Sequence, residues 1–215
     1  MTTDYGVYLV TAADLSAGRT TVEIVDAAIR GGVDVVQLRE KTATARERYE
    51  IGIELRERTR AAGVPLVVND RIDLAAAIDA DGVHLGDSDL PIPVARDQLG
   101  SDAIVGRSVS TPAAARDAEQ AGADYLGVGA VYTTSSKDTD PEQTAIGPER
   151  VRDIRDAVEI PCVGIGGITP DNAGEVIAAS ADGVAVISAI TAADDPTAAT
   201  RRLADAVRTE ASADV

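Results

Sequence analysis

Short apolar runs alternate with longer segments of helical periodicity along the whole chain. Eight runs rich in Val, Ile and Leu lie at residues 7–10, 33–38, 65–68, 82–85, 103–105, 125–128, 161–165 and 183–187. Most are continuously apolar, which is typical of strands buried on both faces of a parallel sheet. The segments between them carry apolar residues at steps of three and four, which predicts helices. The alternation therefore predicts repeated βαβ units and an α/β fold.

A weak internal repeat marks every second predicted strand. Four similar tetrapeptides precede or open the second, fourth, sixth and eighth runs: Gly32-Val33-Asp34-Val35, Ala80-Asp81-Gly82-Val83, Gly122-Ala123-Asp124-Tyr125 and Ala181-Asp182-Gly183-Val184. Eight βα units fit a single (β/α)8 TIM-barrel domain over residues 1–215, with the active site at the carboxyl ends of the strands. A doubly wound open sheet is the alternative. The fourfold repeat favours the barrel, as does the lack of a Gly-rich dinucleotide fingerprint after the first run.

The composition predicts one aliphatic core. The 215 residues are 45% hydrophobic and include five Tyr but no Phe or Trp, and a chain of this size can bury a single well-packed core. The sole cysteine, Cys162, lies in an apolar run with no second thiol to pair with, so we expect a small core residue. The sole histidine, His84, lies inside the fourth run. This position favours a hydrogen-bonded barrel residue over a general base.

The charge of the chain limits its partners. A formal net charge of -16 and a pI near 4.3 disfavour binding to nucleic acid or anionic membranes, which depends on Lys and Arg. The first thirty residues lack a basic segment followed by a long apolar run, and no apolar stretch is long enough to span a bilayer. A cytoplasmic enzyme is therefore expected. An acidic chain with 18 Arg and only two Lys suggests a halophilic source. Small phosphorylated molecules are the expected partners, and a homo-oligomer stays open.

Carboxylates follow two neighbouring runs. Asp70 comes directly after the third run and Asp89 follows the fourth, so both would lie at the mouth of the barrel. Mg2+ commonly binds one or two carboxylates together with substrate phosphates, which makes these residues candidate Mg2+ ligands. The alternative is that Asp70 caps the next helix and Asp89 is a loop residue.

The two lysines indicate where a polyanion would bind. Lys41 and Lys137 are the only lysines in the chain, and both follow predicted strands. Together with Arg39 they would form a cationic pocket within an acidic protein, as a diphosphate ligand requires.

A second anion site is predicted near the last two strands. The pair Gly166-Gly167 is followed by a polar stretch to Asn172, and Ser188 follows the eighth run. Backbone N–H groups of a glycine turn at a helix N-terminus bind phosphate, and TIM barrels commonly do so at this place. The alternative is a tight turn in which Asp171 caps the next helix. Residues 133–146 are long and polar for a βα loop, which predicts an active-site lid.

Seven motifs in this order resemble the thiamine-phosphate synthase family, from the first strand to the last helix. They are Gln37-Leu38-Arg39-Glu40-Lys41, Asn69-Asp70, Val83-His84-Leu85-Gly86 with Asp89, Gly106-Arg107-Ser108, the Thr/Ser loop with Lys137, Gly164-Ile165-Gly166-Gly167-Ile168, and Val186-Ile187-Ser188-Ala189-Ile190. The sequence departs from the family at Asp87 and Ser88, where members often have Gln and Glu. It also departs at Ala130, Thr133 and Ser136, where Pro, Pro and Thr are common.

The resemblance implies an alkyl transfer. A thiazole phosphate, or its 2-carboxy form, would displace pyrophosphate from 4-amino-2-methyl-5-(diphosphooxymethyl)pyrimidine by a dissociative, Mg2+-assisted substitution. The implied ligands of the pyrimidine diphosphate are Gln37, Leu38, Arg39, Glu40, Lys41, Asn69, Ser108 and Lys137. Those of the thiazole phosphate are Thr134, Ser135, Ser136, Gly167, Ile187 and Ser188. Asp70 and Asp89 would hold Mg2+, and Lys137, Arg39 and Lys41 would neutralise the leaving group.

Two other functions are compatible with the same barrel. A thiazole tautomerase would bind a thiazole phosphate without the diphosphate substrate, and the intact Asp70, Asp89 and Lys137 disfavour it. A non-catalytic sensor of a phosphorylated ligand is the second, because a fold alone does not fix a function.

Overall fold

Eight parallel strands close into a barrel in which chain neighbours are hydrogen-bonded and the last strand pairs with the first. The computed structural model describes residues 3–134, 136 and 145–211. The strands are β1 (Val7–Val10), β2 (Val35–Leu38), β3 (Leu66–Asn69), β4 (Gly82–Leu85), β5 (Ile104–Val109), β6 (Tyr125–Gly129), β7 (Cys162–Ile165) and β8 (Gly183–Val186). The predicted TIM barrel is therefore confirmed.

Helices surround the barrel and connect consecutive strands. They are α1 (Thr21–Gly31), α2 (Ala45–Ala62), α3 (Ile72–Ala77), α4 (Ile92–Leu99), α5 (Pro112–Gln120), α6 (Gly147–Arg155), α7 (Ala173–Ala178), α8 (Ser188–Thr191) and α9 (Pro196–Ala211), with a 3-10 helix at Ala13–Leu15. Within the described part of the chain, no helix combines the length and apolarity that crossing a membrane requires.

Local sequence signals fix the ends of the first two long helices. Thr20 and Thr44 cap α1 and α2, and in each case a Glu three residues later closes a capping box. Such boxes satisfy backbone N–H groups that a helix start would leave unpaired. Gly32 and Gly63 end these helices in the left-handed conformation, which glycine adopts without strain.

The fourfold repeat ties each odd-numbered strand to the next even-numbered one. Each repeat Asp precedes an even strand, and its carboxylate accepts a backbone N–H from the start of the odd strand before it, at 2.7–2.8 Å. The Asp–partner pairs are Asp34–Val7, Asp81–Leu66, Asp124–Val105 and Asp182–Cys162. Arg56, Arg96 and Arg155 also form ion pairs with three of these Asp residues. The repeat therefore stabilises the amino end of the barrel, opposite the mouth.

The core has an aliphatic outer layer and a partly aromatic interior. Val, Ile, Leu and Ala fill the layer between strands and helices, where Cys162 is buried as expected. The barrel interior instead contains Tyr5, Tyr8 and Tyr125, with the rings of Tyr5 and Tyr125 4.7 Å apart. The expectation of a wholly aliphatic core is wrong for this inner layer, because large side chains are needed to fill the centre of an eight-stranded barrel.

The fifth strand is longer than its apolar run predicts. The run ends at residue 105, but β5 continues to Val109 through Gly106-Arg107-Ser108. Ser108 therefore lies inside a strand rather than in the loop after it. Polar residues are tolerated there because this end of the strand lines the mouth of the barrel, where one side meets solvent.

Candidate active site

Two carboxylates meet at the mouth of the barrel, as the sequence predicts. The backbone N–H of Asp70, directly after β3, donates to the His84 carbonyl at 2.8 Å, and the Asp89 carboxylate accepts the Gly86 N–H at 2.6 Å. Burial, a hydrogen bond with Asp89 and the Asp89 charge raise the pKa of Asp70 to about 6. A carboxylate in this position is stabilised by a bound cation.

Asp70 adopts an uncommon backbone conformation and does not cap a helix. Its φ is +65°, a left-handed value that Asp tolerates better than most residues. Arg71 occupies the N-cap position of α3, with no side-chain cap hydrogen bond. The alternative interpretation of Asp70 as a helix cap is therefore wrong, and its carboxylate is directed to Asp89.

Two cationic side chains lie near this carboxylate pair. The charges of Lys41 and Arg39 oppose the rise in the Asp70 pKa, which places both within electrostatic range. Arg39 is buried, with 8% of its surface exposed, and its backbone N–H donates to Thr11 Oγ1. In residues 3–134, 136 and 145–211, its guanidinium has neither a hydrogen bond nor an ion pair. A guanidinium held near the Asp70 carboxylate, with no hydrogen bond to it, keeps its N–H donors available for an anionic ligand.

Two neighbours of Arg39 have structural contacts instead. Leu38 is 2% exposed and packs in the outer core, because successive side chains of a strand point to opposite faces. The buried Glu40 carboxylate accepts from the Ala13 backbone N–H and from Thr21 Oγ1, both at 2.8 Å. The substrate contact predicted for Leu38 stays a prediction, and with its side chain in the core the contact would be made by its backbone. Glu40 holds the loop after β1.

The remaining predicted pyrimidine ligands line the barrel near the carboxylates. Gln37 is buried in β2, where its Nε2 donates to the Tyr8 hydroxyl at 2.8 Å. Asn69 is the last residue of β3 and is paired in register with His84. Ser108 Oγ lies 2.9 Å from His84 Nε2. His84 is thus a hydrogen-bonded barrel residue, as predicted.

A second cavity opens beside β7 and β8. It has a volume of about 320 Å³ and is lined by five of the predicted thiazole-phosphate ligands: Thr134, Ser136, Gly167, Ile187 and Ser188. The hydroxyls of Ser136 and Ser188 are 3.1 Å apart, so a hydroxyl cluster faces the glycine turn. Gly167 has a φ of +64°, and a Cβ there would lie 2.7 Å from the Thr133 carbonyl oxygen.

The glycine turn is held differently from either sequence interpretation. Asn172, rather than Asp171, is at the N-cap position of α7. Its Oδ1 accepts from the Thr169 N–H at 2.8 Å, and its Nδ2 donates to the Gly167 carbonyl at 3.1 Å. Because α7 begins several residues after Gly167, the glycine pair does not lead directly into a helix. The cavity provides hydroxyl groups and loop backbone rather than the N-terminus of a long helix.

Part of the predicted site lies outside the described residues. Ser135 and Lys137 belong to this part, as do residues 138–144. Their roles, and the lid over residues 133–146, stay predictions. Within the described residues there is no group of three or more His, Cys, Asp or Glu side chains placed to hold a metal. A metal ion bound by Asp70 and Asp89 would therefore need further ligands from substrate or solvent.

No motif or periodicity in the sequence indicated a polar network in the barrel interior. Tyr8 and Tyr125 lie below the mouth, and their hydroxyls are 2.7 Å apart. Gly106 and Gly127 carry the available signal, because glycine inside a strand often marks close approach of another group.

A closed (β/α)8 barrel with carboxylates, cations and a hydroxyl-lined cavity at its carboxyl end is the arrangement of a TIM-barrel enzyme. The family model described as thiamine monophosphate synthase matches residues 7–190. This match covers most of the chain, and the chain belongs to that family.

Individual relatives are similar over nearly their whole length. The thiamine-phosphate synthase of Natronomonas pharaonis is 79% identical over 207 residues, covering 96% of this chain and 97% of that protein. The one from Haloarcula marismortui is 67% identical over 205 residues, covering 95% and 97%. The solved thiamine phosphate pyrophosphorylase of Pyrococcus furiosus has a TM-score of 0.88 and 42% identity, covering 97% of this chain and 98% of that one.

Proposed function

We propose that this enzyme makes thiamine phosphate by joining two phosphorylated substrates at the two parts of its site. The diphosphate of 4-amino-2-methyl-5-(diphosphooxymethyl)pyrimidine binds beside Asp70, Asp89, Arg39 and Lys41. The thiazole phosphate, with or without a 2-carboxylate, binds in the cavity that contains Ser136 and Ser188. The single observation that carries this proposal is that Arg39 and Lys41 lie within electrostatic range of Asp70, which itself contacts Asp89. The two carboxylates can bind a dication, and the two cations can bind a diphosphate.

The carboxylate pair fits Mg2+. Asp70 and Asp89 supply two hard oxygen ligands, the number that Mg2+ commonly takes from protein when phosphates provide others. The raised pKa of Asp70 is the electrostatic condition that a bound dication would relieve. When bound, Mg2+ supplies neutralisation of the charge that grows on the departing pyrophosphate.

The residues of the chain then have complementary roles in one substitution. The bond between the pyrimidine methylene carbon and the diphosphate oxygen breaks, and its electron pair leaves with pyrophosphate. The thiazole nitrogen lone pair forms the new carbon–nitrogen bond. Arg39, Lys41 and Lys137 neutralise the leaving group, while Gln37, Asn69 and Ser108 orient the pyrimidine. This chemistry requires charge neutralisation rather than a strong base, which agrees with a site whose sole histidine is held in hydrogen bonds.

The acidic surface is proposed to be an adaptation to high salt. Relatives at 79% and 67% identity come from Natronomonas pharaonis and Haloarcula marismortui, which are haloarchaeal. A net charge of -16 repels itself in dilute buffer, and concentrated salt screens that repulsion.

The Mg2+ requirement of three variants tests the metal assignment. Asp70→Asn and Asp89→Asn should each raise the Mg2+ concentration for half-maximal thiamine phosphate formation by about tenfold or more, since a charged ligand is lost. Asn is chosen because it also tolerates the positive φ of Asp70. Asp87→Asn is the matched control, because Asp87 lies in the Asp89 loop, 92% exposed and paired with Arg107. An unchanged Mg2+ requirement in both test variants would refute the assignment.

A further inference from the structure

A continuous chain of hydrogen bonds crosses the barrel interior beneath the proposed pyrimidine site. It begins at Gln37, whose Nε2 donates to the Tyr8 hydroxyl at 2.8 Å. The Tyr8 and Tyr125 hydroxyls are 2.7 Å apart, and Tyr125 Oη lies 2.9 Å from His84 Nδ1. The chain ends where His84 Nε2 meets Ser108 Oγ at 2.9 Å. We call this the Gln37–Ser108 chain.

Two glycines make room for these rings. A Cβ on Gly106 would lie 2.2 Å from Tyr125 Cζ and 2.5 Å from His84 Nδ1, and one on Gly127 would lie 2.9 Å from His84 Cε1. Any side chain at these strand positions would displace the rings. The two glycines therefore leave the space that the hydrogen-bonded rings occupy.

The direction of hydrogen-bond donation along the Gln37–Ser108 chain follows from counting protons. Tyr8 is 1% exposed, and its oxygen accepts the Gln37 N–H. Among the described residues, the Tyr125 oxygen is the acceptor within hydrogen-bond distance of the Tyr8 O–H. A buried hydroxyl proton is rarely left unpaired. The Tyr125 O–H in turn donates a hydrogen bond to His84 Nδ1. A neutral imidazole that accepts at one nitrogen carries its proton on the other.

The two phenols stay protonated, which keeps this direction. Burial raises the pKa of Tyr8 to about 12, and burial also raises the pKa of Tyr125 well above its usual value. Each phenol therefore keeps its O–H and donates one hydrogen bond along the Gln37–Ser108 chain.

We propose that Tyr8, Tyr125 and His84 are positioning residues that hold Ser108 as a hydrogen-bond donor toward the substrate. His84 Nε2–H donates to Ser108 Oγ, so the serine hydroxyl proton is directed away from His84 and into the mouth. A donor there selects a heteroaromatic ring with an acceptor nitrogen, such as a pyrimidine, over a ring with a C–H at that position. The substrate part of this inference rests on the proposed function.

The tautomer of His84 tests the direction without any substrate. His84 is the only histidine in the chain, so tag-free protein labelled with 15N-histidine gives signals from one imidazole. At mildly alkaline pH we expect the proton on Nε2 and an unprotonated Nδ1 in the wild type. Tyr125→Phe removes the Nδ1 donor and should shift the population toward the Nδ1–H tautomer. A wild-type imidazole with its proton on Nδ1 would overturn the proposal.

Kinetic constants test whether this direction of hydrogen-bond donation helps the enzyme to bind the pyrimidine diphosphate. Tyr125→Phe should raise KM for the pyrimidine diphosphate about tenfold, the loss of roughly one net hydrogen bond, with KM for the thiazole phosphate unchanged. Tyr5→Phe is the matched control, because its ring packs 4.7 Å from Tyr125 and lies outside the chain of hydrogen bonds.

Two kinetic results would count against the proposal. They are equal effects of Tyr125→Phe and Tyr5→Phe, and an equal rise in KM for both substrates on Tyr125→Phe. If wild-type enzyme makes no thiamine phosphate, the proposed function fails, while the tautomer measurement still decides the direction of the chain.

Discussion

The hydrogen bonds to the Asp carboxylates of the fourfold repeat should stabilise the fold and have no effect on catalysis. The Asp81→Ala variant tests this directly. Asp81 Oδ2 accepts from the Leu66 N–H and from Arg56 Nη1, both at 2.7 Å. Leu66 is fully buried, so truncation leaves its N–H without a partner, at a cost of about 1–3 kcal/mol. The ion pair is partly exposed, with 15% and 32% of the side chains accessible, and adds no more than about 1 kcal/mol.

The sum is roughly 1–4 kcal/mol, which for a domain of this size lowers Tm by roughly 2–16 °C. Thermal unfolding followed by circular dichroism measures it. Asp81→Asn should lose less, because its amide oxygen can still accept the Leu66 N–H. Asp153→Ala is the control, since its pair with Arg150 spans 3.6 Å between side chains that are 60% and 47% exposed.

Asp81 lies at the amino end of the barrel, so kcat and KM measured well below Tm should match those of the wild type. An Asp81→Ala enzyme that melts no lower than Asp153→Ala would show that the Asp81 contacts add no stability. A lower kcat in a well-folded Asp81→Ala enzyme would show that they are not confined to a structural role.

Three further predictions concern the cations and the surface. Lys137→Met should lower kcat by about 10²–10³, the typical loss of one electrostatic contact to a transition state, with Tm nearly unchanged; a near-normal kcat at saturating Mg2+ would remove Lys137 from catalysis. Lys41→Met should chiefly raise KM for the pyrimidine diphosphate, because its ammonium binds the diphosphate before and during departure; steady-state kinetics in which kcat alone falls would contradict this. Tm should rise between about 0.1 and 2 M KCl as screening relieves self-repulsion, and a flat profile would count against salt adaptation.

The fold could be predicted because its signals are local and periodic. Continuous apolar runs identified every strand, and the Asp repeat indicated closure before its hydrogen bonds to Val7, Leu66, Val105 and Cys162 were known. The end of β5 was missed because Gly106-Arg107-Ser108 carries no apolar pattern. Burial inside a barrel mouth does not require apolar residues, so hydropathy cannot mark it.

The candidate site could be predicted only in part, because a linear motif does not show which side of a strand each side chain faces. Motifs place Asp70 and Asp89 at the ends of adjacent strands, and the structure brings them together. Strand alternation separates Leu38 from Gln37 and Arg39, a distinction that a contiguous motif conceals. The contact between Tyr8 and Tyr125 joins residues 117 positions apart. Such a contact depends on how the closed barrel is filled, which no local pattern encodes.

The stoichiometry of the reaction decides whether this enzyme joins the two proposed substrates. Purified enzyme is incubated in KCl with Mg2+ and each substrate alone, then with both together, and pyrophosphate and thiamine phosphate are quantified in parallel. We expect the two products to appear in equimolar amounts only when the pyrimidine diphosphate and a thiazole phosphate are both present. No pyrophosphate from the complete mixture, or equal release from the pyrimidine diphosphate alone, would contradict it.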